Sequence, residues 1–94
     1  MKLYNESLEV ARQIGDQYLI GRTLNNISTI FLERQEYDRS FYNTSQAHEI
    51  LAELNVPELQ RSVDILSRIK ERVGNEAYQR LIEKFEKTST STKP

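Results

Sequence analysis

The reading of the fold turns on residues 14–50, IGDQYLIGRTLNNISTIFLERQEYDRSFYNTSQAHEI. From Gln17 onward, Ile20, Leu24, Ile27, Ile30 and Phe31 recur at helical spacing, which predicts an amphipathic helix over about 17–34. The polar run Arg34-Gln35-Glu36 interrupts the pattern and predicts a short turn. A second periodic set follows, Tyr37, Phe41, Thr44, Ala47, Ile50, Leu51 and Leu54, predicting a helix over about 37–54. Two helices joined by so short a turn must lie antiparallel.

The same grammar extends to either side. Upstream, Leu3, Ser7, Val10, Ala11 and Ile14 predict a helix over about 2–14. Gly15 suits the position just past its end, and Asp16 can cap the free N–H groups of the next helix. Downstream, Asn55-Val56-Pro57 marks a boundary, because proline restricts the residue before it and favours a first helical turn. A fourth helix from Pro57 carries Leu59, Val63, Leu66, Ile69 and Val73, and Gly74-Asn75 repeats the stop-and-cap pattern. A fifth, over about 76–87, carries Ala77, Tyr78, Leu81, Ile82 and Phe85. The small, polar stretch 88–94 reads as a disordered tail. The expected class is therefore all-α, with one helical domain over 1–87.

Composition narrows the function. The 94 residues include no Cys and one His, which removes disulfides, thiolate zinc sites, cysteine nucleophiles and multi-histidine metal sites. The sequence holds neither a calcium loop nor a glycine-rich phosphate loop, and no cofactor is expected. His48, alone within a predicted helix, reads as a surface or packing residue, and the aromatic residues at helical positions read as packing. The N-x-S triplets at Asn5, Asn26 and Asn43 fall inside predicted helices and read as chance. An enzyme is not expected.

Residues 1–56 carry five basic and eight acidic side chains, and residues 57–94 carry eight and six. The basic skew is diluted by glutamates, and the formal net charge of −1 gives no support for nucleic-acid binding. No apolar run approaches the roughly 18–20 residues of a membrane span, and no apolar signal-peptide core follows Met1, so a cytoplasmic protein without membrane contact is expected.

Sliding the chain on itself by 40 residues places Ser7-Leu8-Glu9-Val10 on Ala47-His48-Glu49-Ile50, and Ile14-Gly15-Asp16 on Leu54-Asn55-Val56. A period of 20–50 residues is the mark of stacked helical repeats. Within residues 17–54, Leu24 and Ile27 stand at large apolar positions and Ser28, Ser40 and Ala47 at small ones, with Phe31 and Tyr37 at aromatic ones. This segment resembles a tetratricopeptide repeat, in particular the longer-period class found in kinesin light chains and bacterial scaffold proteins, with its I-G-D connection and L-N-N-I core. Thr44 departs from the pattern, standing where an aromatic is commoner. By the same resemblance, residues 1–16 are the second helix of a partial repeat and residues 57–87 a capping pair closing a short solenoid.

The resemblance implies a protein-interaction module, with a peptide or partner protein lying on the face formed by first helices. Its groove positions here are Arg22, Asn25, Asn26, Thr29 and Glu33. Arg22 and Asn26 lie four apart on one helix face, where an amide can clamp a peptide backbone and a guanidinium can pair with a carboxylate. The alternative for the two asparagines is an intramolecular hydrogen bond between helices. Two other roles remain open at this level. One is self-association through the unpaired first helix, giving a homo-oligomer. The other is service as an accessory segment of a larger enzyme or signalling protein.

Overall fold

The structure, a computed structural model, describes residues 1–91, and these form five α-helices. They are α1 Lys2–Ile14, α2 Gln17–Glu33, α3 Tyr37–Leu54, α4 Leu59–Val73 and α5 Asn75–Ser91. No strand occurs among the described residues. The expected all-α class holds.

Local chemistry sets each boundary. Gly15 ends α1 at φ 72°, in the left-handed region, with its N–H on Arg12 O and the Asp16 N–H on Ala11 O. That is the paired 5→2 and 6→1 bonding of a Schellman end. Asp16 then caps α2 by accepting from the Leu19 N–H at 3.0 Å. Gln35 repeats the Schellman geometry after α2, at φ 63°, with Gln35 N–H on Leu32 O and Glu36 N–H on Phe31 O. Asn55, forty residues after Gly15, ends α3 at φ 53°. The two helix ends matched by the internal repeat thus share a left-handed terminal residue.

Three boundaries differ from expectation. Helix α4 starts at Leu59 rather than Pro57, because the chain first makes a tight turn of i→i+3 bonds from Val56, Pro57 and Glu58. Asn75 is already helical, and the Gly74 carbonyl accepts the Tyr78 N–H, so Asn75 is not a cap. Helix α5 continues to Ser91, so residues 88–91 of the expected disordered tail are helical. The rest of that tail, 92–94, lies outside the described residues.

The helices pack as a ladder. Helix α1 packs on α2 alone, α2 packs most heavily on α3, α4 packs on α3 and α2, and α5 packs on α4 and α3. The core accordingly has two parcels. Leu8, Ala11, Ile20, Leu24, Ile27, Ala47 and Leu51 join α1, α2 and α3, whereas Phe41, Ile65, Ile69 and Leu81 join α3, α4 and α5. The α2–α3 contact is close because small residues line it. Ser28, Ser40, Thr44 and Ala47 are fully buried, and Gly21 stands so near Leu51 that an added Cβ would lie 2.6 Å from its side chain.

Two predicted faces are corrected. On α1, Leu3, Val10 and Ile14 are 77%, 52% and 67% exposed, and the buried residues are Leu8 and Ala11. Helix α2 meets the side of α1 that carries Leu8, rotated away from the Leu3–Val10–Ile14 stripe. On α4, Ile65 is buried and Val63 exposed, the reverse of the sequence reading, because α3 and α2 approach from the Ile65–Ile69 side.

Candidate functional site

Helices α2 and α4 lie side by side and make one polar face. Tyr18, Arg22, Asn26, Thr29 and Glu33 recur every three or four residues, so all five stand in one row along α2. The neighbouring row holds Glu58, just before α4, and Arg61, Arg68 and Arg72 on it.

Three layers of polar contact tie the rows together. Deepest is Asn25, 1% exposed, whose Oδ1 accepts the Ser62 hydroxyl at 2.8 Å and whose Nδ2 donates to Glu58 O at 3.5 Å. Above it, the Arg61 guanidinium spans the groove, donating to Asn26 Oδ1 at 2.7 Å and Thr29 Oγ1 at 3.2 Å. Thr29 in turn donates to the Asn25 carbonyl at 3.0 Å. At the outer end, the Tyr18 hydroxyl donates to the Glu58 carboxylate, and the Arg22 guanidinium lies 5.5 Å from the centre of the Tyr18 ring. The opposite end opens into a hollow lined by Leu32, Glu33, Gln35, Arg68, Glu71 and Arg72.

These contacts shift two ionisations. The Tyr18 hydroxyl is held above its usual pKa, chiefly because it donates to Glu58 and loses that bond when ionised. Glu58 is held below the usual carboxylate range, first by the Tyr18 hydrogen bond, then by its own backbone N–H, with Arg22 adding to the effect.

The predicted groove residues therefore separate. Arg22 and Glu33 are exposed, and Asn26 and Thr29 half-buried, all on the α2–α4 face. Asn25 is buried between the helices, held by Ser62 and Glu58. Asn26 takes up the intramolecular alternative, through Arg61. Arg61, Glu58, Ser62 and Tyr18 were not among the predicted positions. A signal existed for two of them, since Tyr18 and Glu58 are separated by 40 residues, the shift at which the chain matches itself.

Among the described residues, no group of three or more His, Asp or Glu side chains is placed to hold a metal ion. No helix is long and apolar enough to cross a membrane. No family model, curated protein or solved structure matches the chain.

Proposed function

We propose that this chain is a non-catalytic protein-interaction module of the tetratricopeptide type, which binds a peptide or partner protein on its α2–α4 face in a cytoplasmic setting. The observation that carries this reading is the row of accessible polar side chains on α2, Arg22, Asn26, Thr29 and Glu33, set beside Arg61, Arg68 and Arg72 of α4. Two features of the fold support the repeat assignment. Each helix packs on helices one or two places along the chain, and Gly15 and Asn55 end their helices alike forty residues apart. In this reading Asn26 and Arg61 are a hydrogen-bonding pair whose partners a peptide backbone or carboxylate can replace, since exposed pairs of this kind exchange at little cost. The test is the Arg22→Ala/Asn26→Ala double variant. It weakens partner binding and leaves the helical circular dichroism unchanged; unaltered binding removes the face from the account.

A second reading, self-association, is favoured by one observation. The outward stripe Leu3, Val10 and Ile14 on α1 is exposed and apolar, as a helix lacking a neighbour would be. Sedimentation across a dilution series tests it: the reading requires a mass that rises with concentration.

A further inference from the structure

At one end of the ladder stands the exposed α1 stripe, about 16 Å long from Leu3 to Ile14 at 1.5 Å per residue. At the other end, the first half of α3 and the second half of α5 enclose an apolar groove of about 450 Å³. Its walls are Phe31, Phe41, Tyr42, Leu81 and Phe85, with the Phe85 ring 6.3 Å from that of Phe41 and 5.7 Å from that of Tyr42. Helix α1 packs on α2, and none of its residues lines the groove, so stripe and groove are separate surfaces.

The groove rim holds two cations and one acid, and the stripe carries an acid between its apolar residues. Glu6 borders the stripe, three residues after Leu3 and four before Val10. Arg39 and Lys84 border the groove together with Asp38. Arg39 lies 3.4 Å from Glu36 and Lys84 lies 3.9 Å from Asp38, but both pairs are largely exposed and give up little on rearrangement. A ridge entering a groove is covered on both flanks, and contact between unlike surfaces is heterologous, so it propagates head to tail.

We propose that the Leu3–Val10–Ile14 stripe of one copy seats in the α3–α5 groove of a second copy, with Glu6 facing Arg39 and Lys84. The proposal rests on the self-association reading and specifies its two surfaces. Each of these apolar side chains, once covered, contributes enough that replacing it by a charge weakens association at least about tenfold.

Analytical ultracentrifugation tests this with wild type, Val10→Glu/Ile14→Glu, Tyr42→Glu, and an equimolar mixture of the two variants, each checked by circular dichroism. The stripe residues and Tyr42 are exposed, so these changes spare the core. Lys84→Glu, with its side chain 75% exposed, replaces Tyr42→Glu if the latter loses helix. The expected result is wild-type mass rising past the dimer with concentration and each variant monomeric alone. The mixture then forms a 1:1 dimer that grows no further, because it holds one intact stripe and one intact groove. A wild type monomeric at every concentration overturns both the proposal and the self-association reading. Association lost in the α1 variant but kept in Tyr42→Glu or Lys84→Glu overturns the groove pairing and leaves self-association standing. A mixture that stays monomeric overturns the proposal as well.

Discussion

Ser40 on α3 donates its hydroxyl to the main-chain oxygen of Ser28 on α2 at 2.8 Å, with both residues fully buried. The bond joins the two helices in their buried seam, where Ser28 itself donates to Leu24 O and Thr44 to Ser40 O. Ser40→Ala removes one interhelical bond and costs about 1 kcal/mol. Ser40→Leu forces a large side chain into the same seam and costs at least about 2 kcal/mol. Urea denaturation of the two variants measures both, and the order Leu worse than Ala is the expected outcome.

Gly21 is required for its lack of a side chain. A Cβ there would stand 2.6 and 2.7 Å from Leu51 carbons, and Leu51 is itself fully buried and cannot withdraw. Helix propensity alone favours Gly21→Ala by about 1 kcal/mol. Overpacking of a dense seam costs about 1–3 kcal/mol and outweighs it. The variant therefore melts at a lower temperature, opposite to the usual effect of replacing glycine by alanine within a helix.

Adjacent asparagines make different contributions. Asn25→Ala leaves the buried Ser62 hydroxyl without its acceptor and costs about 1–3 kcal/mol. Asn26→Ala frees only an exposed guanidinium, which water solvates, and costs less than about 1 kcal/mol. Chemical denaturation separates the two.

The Tyr18–Glu58 bond responds to pH at both extremes. Glu58 has a lowered pKa, so its contribution is complete above the carboxylate's unfolded value, near 4.3, and is lost as pH falls through the lowered folded value. Tyr18 has a raised pKa, so its contribution is complete below the unfolded value, near 10, and is lost as pH rises through the folded one. Glu58→Gln returns the Tyr18 midpoint toward 10, read by NMR titration of the ring. Tyr78, raised by burial instead, stays where it is in that variant.

Much of the fold is legible in the sequence because its signals are local. Gly15, Asp16 and the 34–36 turn act on neighbouring backbone groups, and the structure places helix ends there. Ser28, Ser40 and Ala47, expected at small positions, are buried. What escapes a single sequence is which side of a broadly apolar helix meets its neighbour. Helix α1 has a broad apolar arc running from Val10 and Leu3 round to Leu8, and periodicity alone did not distinguish Leu8 from Leu3. The site shows the same limit. Asn25 and Asn26 differ by one residue, hence by about 100° around the helix, and that rotation decides which faces Ser62 and which faces Arg61.

We propose above that the α2–α4 face engages a protein partner. Quantitative mass spectrometry of proteins captured from native lysate tests it with three baits: wild type, Arg22→Ala/Asn26→Ala, and Glu49→Ala/Glu53→Ala, whose changes lie at exposed positions of α3. The expected result is a protein enriched by the wild type and by the α3 variant and reduced at least about tenfold with the α2 variant, the loss expected when about 1.4 kcal/mol of contact is removed. Equal recovery by all three baits, or no protein enriched by the wild type, contradicts it.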